Sequence, residues 1–332
     1  MVKIDVRKLI SFGKGSYIIS MPKSWVEKNS LKKGDLIAVN DGGSELVLSA
    51  NNQEKITDSR EITIDTKSKY LDFLKAEIVS SYLNCYDTIN ILFDSSYKDV
   101  PKIKDILRNL SGLEIMEQTS TRIVAKNLIN INEISIKNII RRMDTIARAM
   151  MEDAILCCRG QCSYENIHHR DADMNRLYFL GYRVIKNAMK NPRIAKSLGI
   201  ETWQLHSDTL ILIRLEKIAD RQKRIARYLI NANLKRELME ELDSVHTNIS
   251  EAYKEVMKSY YIHDKNLAFK IEVTNKERAE SCNKLLEKCT LVKKGRENDN
   301  MQNNVAFAQI IENLKATATE IKNIARTVLC YE

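Results

Sequence analysis

The sequence predicts a multidomain protein with a small all-β head, a small α+β middle segment and an all-α C-terminal pair of three-helix bundles. Three observations predict it. Half of the ten glycines, Gly13, Gly15, Gly34, Gly42 and Gly43, fall within the first fifty residues. Between about residues 55 and 130, period-two stretches alternate with helix-period stretches. From about residue 133 onward the chain has one proline, Pro192, and four glycines, Gly160, Gly181, Gly199 and Gly295. So few helix breakers permit long helices.

In the head, Arg7 to Phe12 alternates and ends at Gly13-Lys14-Gly15, and Tyr17 to Met21 is a second strand. Pro22 opens a short helix over Lys23 to Lys28, because its missing N–H falls in the first turn, where that donor is unpaired anyway. A hairpin is expected from Leu36 to Val39 and Glu45 to Leu48, around Asp41-Gly42-Gly43. Some fifty residues of short strands bury too little surface to stand alone, and a twofold dimer is the usual solution. The head carries eight basic residues against five acidic ones. Dimerisation doubles that excess on one surface. Either the cations contact phosphates or they are a solvated face of a module that only dimerises.

In the middle segment, Glu61 to Asp65 is a strand, Lys69 to Asn84 a helix and Thr88 to Phe93 a strand. A helix follows Pro101 and ends at Gly112, and two strands run from Leu113 to Glu117 and from Thr121 to Lys126. This order suggests a small α+β sandwich, ferredoxin-like in outline. No glycine-rich phosphate loop is present, which favours a spacer role.

Six amphipathic helices are expected at about 133–159, 163–190, 201–231, 234–262, 264–290 and 302–330. Leu215 to Arg227 (LEKIADRQKRIAR) and Leu314 to Arg326 (LKATATEIKNIAR) align without a gap. Leu215/Leu314, Ala219/Ala318, Lys223/Lys322, Ile225/Ile324, Ala226/Ala325 and Arg227/Arg326 are identical. The offset of about a hundred residues matches three helices per repeat.

The 332 residues suffice for two or three domains, and 44% apolar with 29% charged residues argues against wholesale disorder. A net charge of +9 suits polyanionic partners such as nucleic acid or an anionic membrane surface. No run of about 18 apolar residues could span a bilayer. The N-terminal stretch carries Lys3, Asp5, Arg7 and Lys8 and lacks a signal peptide's apolar run, so a cytoplasmic location is expected. The seven cysteines are odd in number and irregularly spaced, which favours reduced thiols. Cys157, Cys158 and Cys162 precede His168 and His169. Their spacing fits no closed zinc pattern, and thiols packed at a helix end are the plainer account. The five histidines are scattered, and no nucleophile elbow, HExxH motif or P-loop appears, so no enzyme is expected.

Two family resemblances rest on these residues. Val6 to Gly34, with Gly13-Lys14, Tyr17 to Met21, Pro22, the helix from Lys23 and Leu31 to Asp35, resembles the AbrB/SpoVT swapped-hairpin DNA-binding domain. That resemblance implies interleaved hairpins from two chains and DNA contacts through Arg7, Lys8, Lys14 and Lys23. Ser24 stands where the family often has a second basic residue, which weakens the basic face. The stretch LEKIADRQKRIAR, with Glu216 and Asp220 before Ile225-Ala226, resembles the signature helix of PhoU proteins. Arg170 to Phe179 resembles its companion helix. The resemblance implies regulation of phosphate uptake and acidic pairs that hold a divalent or trivalent metal ion (magnesium, manganese, zinc or iron). Asp171, Asn175, Glu216 and Asp220 would be the ligands, with Asn175 in place of an expected Asp and Asp173 nearby. Carboxylates four residues apart share a helix face and repel unless a cation joins them. A plain salt-bridge face, with Asp220 paired to Arg224, is the alternative. Lys315 and Thr319 replace the carboxylates in the second copy, so no metal is expected there.

The expected domains are therefore 1–50 (DNA-binding and dimerising), 55–130 (α+β linker), and two PhoU-like bundles, 131–232 and 233–332. The expected partners are DNA, a second copy of the chain in a homodimer, and a phosphate ABC transporter or sensor kinase. A non-DNA-binding adaptor that docks on such a transporter or kinase is the alternative reading.

Overall fold

The computed structural model describes residues 6–41, 43, 46–50, 59–190, 195, 200–232, 234–291 and 300–330. They fall into two compact units, Met1–Ser59 and Arg60–Glu332.

The first unit holds two separate hairpins and one short helix. Strand β1 (Ile10–Phe12) pairs antiparallel with β2 (Ser16–Ile18), placing Ile10 opposite Ile18. Gly13 closes the turn with φ of +70°, a conformation glycine adopts without steric cost. Helix α1 (Lys23–Lys28) follows Pro22, whose carbonyl accepts from the Trp25 and Val26 N–H groups. Strands β3 (Ile37–Asp41) and β4 (Leu46–Ala50) form the second hairpin, with Val39 opposite Leu48. The expected turn residue Gly42 and strand residue Glu45 lie outside the described residues. None of the residues of this unit whose burial is described, which leaves out 40, 41 and 49, is buried. Leu9, Phe12, Tyr17, Leu36 and Leu46 are all at least 65% exposed.

The second unit begins with β5 (Glu61–Asp65), α2 (Leu71–Leu83), β6 (Thr88–Leu92), α3 (Val100–Arg108), β7 (Leu113–Gln118) and β8 (Arg122–Asn127). The sheet order is β5-β6-β8-β7, with β5 and β6 parallel and the other pairs antiparallel. This corrects the ferredoxin-like outline, which needs a β-α-β-β-α-β order. Here the helix α2 returns β6 directly beside β5, and β7 and β8 close as a terminal hairpin. One sheet face packs Ile64, Ile89, Ile91, Ile123 and Ala125 against Leu74, Ile78, Tyr82, Ile103 and Leu107 of the helices. Gly112 ends the α3 connection at φ +81°, with the Ile129 side chain where a Cβ would stand.

The remainder is helical: α4 (Ile136–Cys158), α5 (Tyr164–Lys190), α6 (Thr202–Asn231), α7 (Arg236–Ile262), α8 (Lys265–Val273), α9 (Asn275–Leu291) and α10 (Asn300–Leu329). The expected fifth helix is broken in two at Thr274. Its hydroxyl donates back to the Lys270 carbonyl at 2.8 Å, and Arg278 donates to the Ile271 carbonyl. Side chains that compete for helix carbonyls bend the ladder there. All these helices contribute to one continuous apolar core. Helix α6 packs on α4 and α5, and most extensively on α10.

Helix α5 joins this core to the middle segment. Phe179 packs against the sheet-side cluster. One turn on, Arg183 is fully buried, and its guanidinium donates to the Tyr82 carbonyl at 2.5 Å and the Tyr86 carbonyl at 3.1 Å. It lies 4.7 Å from the Tyr82 ring centroid, and burial pushes the Tyr82 hydroxyl up to about 12. Cys85, at φ +63°, turns the chain between those two carbonyls. Lys186 donates to the Asn84 side chain at 2.8 Å.

Replacing Arg183 with Leu removes the guanidinium bonds to both carbonyls; the Tyr82 carbonyl keeps the Cys85 N–H at 3.0 Å, and the Tyr86 carbonyl loses both of its guanidinium donors. The expected cost is about 2–5 kcal/mol in urea unfolding. Hydrogen exchange should accelerate across residues 60–127 while α10 keeps its protection. A loss below about 1 kcal/mol would contradict the assignment of Arg183 as the joint.

Candidate functional site

The first unit carries the four basic residues expected to meet DNA at its surface. Arg7 and Lys8 precede β1, Lys14 sits at the tip of the β1–β2 turn, and Lys23 opens α1; all four are exposed. Lys23 lies 3.6 Å from Glu27 one helical turn on, with both side chains largely in water. Such a pair holds its partners weakly and leaves the ammonium available to a stronger anion.

The four expected metal ligands come together across α5 and α6. Asp171 is buried and accepts from the Asn175 amide at 3.3 Å. The centre of the group, however, already holds a cation. The Lys223 ammonium donates to Asp171 at 2.7 Å and stands 3.5 Å from Asp220. Asp220 also meets Arg224 at 2.8 Å, the pairing of the salt-bridge alternative. Burial, then the charges of Asp220 and Asp171, raises the Glu216 carboxyl above its ordinary value. Burial alone would lower the Lys223 ammonium. The hydrogen bond and charge of Asp171, with the charge of Asp220, outweigh that and hold it above the usual lysine value. Asp173 faces solvent on α5.

A metal ion does not fit this arrangement. Two of the three carboxylates are spent on Lys223, and the Asn175 amide directs a donor, rather than its oxygen, at Asp171. Among the described residues no group of three or more His, Cys, Asp and Glu side chains is placed to hold a metal. Lys223 was visible as an identity of the internal repeat, three residues after Asp220 and so on the same helix face. That spacing is the signal that identifies it as the built-in counter-charge.

The cysteine cluster also differs from expectation. Cys157 and Cys162 form a disulfide across the turn between α4 and α5, where Gly160 reverses the chain at φ +78°. Cys158 stays a buried thiol, pushed up to about 12 by burial, and His168 and His169 are exposed on α5.

Between α6, α7 and α10 runs a buried polar network that the sequence reading missed. The His246 Nε2–H donates to Gln222 Oε1 at 2.7 Å, and the Gln222 amide donates to the Thr317 hydroxyl at 3.3 Å. Glu320, also buried, draws Arg214 to 2.8 Å and Arg221 to 3.5 Å. Burial depresses His246 to about 4.

Two outcomes are expected. Full-length protein should show no Mn2+ binding at this cluster by titration calorimetry, and Lys223→Ala should acquire it; wild-type binding that survives Asp171→Asn and Asp220→Asn would place the metal elsewhere. For His246, the unfolded chain binds a proton near pH 6.5 and the folded chain only near 4. Stability is therefore complete above about 6.5 and falls toward 4, by up to roughly 3 kcal/mol. Urea midpoints across that range should show the slope, and His246→Gln should flatten it.

Comparison with known proteins places this helical architecture. No protein-family profile and no curated protein sequence matches the chain. Among solved structures, the crystal structure of PhoU from Pseudomonas aeruginosa is similar, at a TM-score of 0.50 and 14% sequence identity. The match covers 58% of this chain and 93% of that one. At that identity the likeness is one of fold: this chain contains a PhoU-like helical fold and carries, besides it, segments that the PhoU structure does not match.

Proposed function

We propose that the chain is a homodimeric, DNA-binding, non-enzymatic regulator of phosphate uptake that acts in the cytoplasm. In this reading residues 1–50 bind DNA as an AbrB/SpoVT-like swapped-hairpin dimer, and 55–130 link that head to the body. The two PhoU-like bundles, 131–232 and 233–332, respond to a partner such as a phosphate ABC transporter or sensor kinase. The observation that carries it is the state of the head. Its strands expose Leu9, Phe12, Tyr17 and Leu46, with none buried among the residues whose burial is described, beside the exposed basic residues Arg7, Lys8, Lys14 and Lys23. A second chain supplies the missing interior, and the joined basic surfaces suit a phosphate polymer. The PhoU-like fold of the body supports the link to phosphate uptake. No helix among the described residues is long and apolar enough to cross a membrane, which is compatible with this location.

The second reading is an adaptor in which the head only dimerises and the body docks on the transporter or kinase. Metal sensing through Asp171, Asn175, Glu216 and Asp220 would require Lys223 to swing away first.

DNA binding is tested by gel shift against the chain's own upstream DNA and random DNA over a salt series. Specific retention is expected on the upstream fragment. Lys14→Gln removes two phosphate contacts per dimer and should lower the salt slope by about two. Equal binding to random DNA at every salt, unchanged by Lys14→Gln and Lys23→Gln, would favour the adaptor.

A further inference from the structure

A small cavity lies where the first turns of α4 and α6 meet the end of α7. Its volume is about 110 Å³, and its lining is Lys137, Arg141, Gln204, Tyr260, Tyr261 and His263. The cavity brings together two cations, an amide and an imidazole, and no carboxylate lines it. Among the described residues neither Lys137 nor Arg141 forms an ion pair, although both are exposed and four positions apart on one helix face. Arg141 rests 5.9 Å from the Tyr261 ring centroid. Like charges at that spacing repel, and Lys137 sits in the first turn of α4, where the helix dipole also disfavours positive charge. Among the described residues no carboxylate is paired with either cation, and an anion in the cavity would offset this cost.

The two acids that the lining tyrosines reach are already occupied. Asp144 accepts from Tyr261 at 2.9 Å, from Tyr253 at 2.8 Å and from Arg148 at 2.9 Å. Asp208 accepts from Tyr260 at 2.8 Å. The two tyrosines thus spend their protons on carboxylates at the back and present their rings to the cavity. That leaves Lys137, Arg141 and Gln204 as donors toward its contents. A cavity of this size is well below the usual 300–1,000 Å³ of organic-ligand pockets. Its size suits a single tetrahedral oxyanion.

We propose that this cavity binds a phosphate-class oxyanion, clamping the starts of α4 and α6 to the end of α7. The guanidinium of Arg141 takes two oxygens side by side, and Lys137 and Gln204 take the others. The anion can be free inorganic phosphate or the phosphoryl group of a larger molecule, and both present the same oxygens. The inference stands apart from DNA binding, because the cavity is lined only by residues of the helical body.

The test is titration calorimetry of the full chain, without DNA, against inorganic phosphate and against a short phosphoserine peptide. Saturable binding of at least one is expected. Lys137→Gln and Arg141→Gln should each weaken it at least tenfold, Lys137→Arg should restore most of it, and Lys258→Gln, an exposed lysine outside the cavity, should leave it unchanged. Tighter binding of free phosphate identifies the free anion as the ligand, and tighter binding of the peptide identifies a phosphoryl group. Circular dichroism confirms that the variants fold. No saturable heat with either probe, or affinity unaltered in both Gln variants, would overturn the proposal.

Discussion

The antiparallel pairing of α6 with α10 is the contact on which the helical body is built. Trp203 at the start of α6 donates to the Cys330 carbonyl beyond the end of α10, Arg214 meets Glu320, and Gln222 meets Thr317. The two helices are the two copies of the internal repeat. Leu215, Ala219, Ile225 and Ala226 and their counterparts Leu314, Ala318, Ile324 and Ala325 are all fully buried. The residues the copies share are mostly those that the central packing needs, with small alanines that let two helices approach closely. The residues they do not share include the carboxylates: Glu216 and Asp220 in the first copy stand where Lys315 and Thr319 stand in the second. The shared residues thus fall mostly on the buried faces of the two helices, and the differing ones include their polar faces.

The same demand, that apolar side chains leave water, is unmet in the head. Two hairpins of three and five residues per strand lie in separate sheets, and an isolated two-stranded hairpin is marginal in water. The body buries a large apolar core, with Ile64, Leu74, Ile211, Leu215, Ile310 and Leu314 fully out of water, while the head exposes Phe12, Tyr17 and Leu36. The functional reading follows from that contrast. In the proposed reading the unit takes its interior from a second copy, which would place two basic turns, each tipped by Lys14, on one particle.

Much of this was legible in the sequence where a period was long. Helices of 23 to 30 residues, such as α4, α5, α6 and α10, are marked by apolar stripes that survive any local irregularity. The break at Thr274 was not, because it arises from one hydroxyl and one guanidinium bonding back to carbonyls. The sheet order of the middle segment was likewise hidden: element types follow from periodicity, but which strand lies beside which depends on the connections. Arg183 carries no signal in the sequence, since its partners are backbone carbonyls about a hundred positions away. In the acidic cluster the residues that converge were identified, yet the sign of the centre was not. The spacing of Glu216 and Asp220 suggests a missing cation; Lys223, three residues after Asp220, supplies it, and the packing of α5 on α6 adds Asp171 as its second partner.

The claim that the head is completed by a second chain is measured most directly by the solution mass of the intact protein, by sedimentation equilibrium across micromolar concentrations. The account requires two chains of 38.3 kDa per particle, and substitution of Phe12 and Tyr17 by Ser should release single chains while the helical spectrum persists. A single-chain mass at every concentration, with the head's backbone amides protected from exchange, would contradict it.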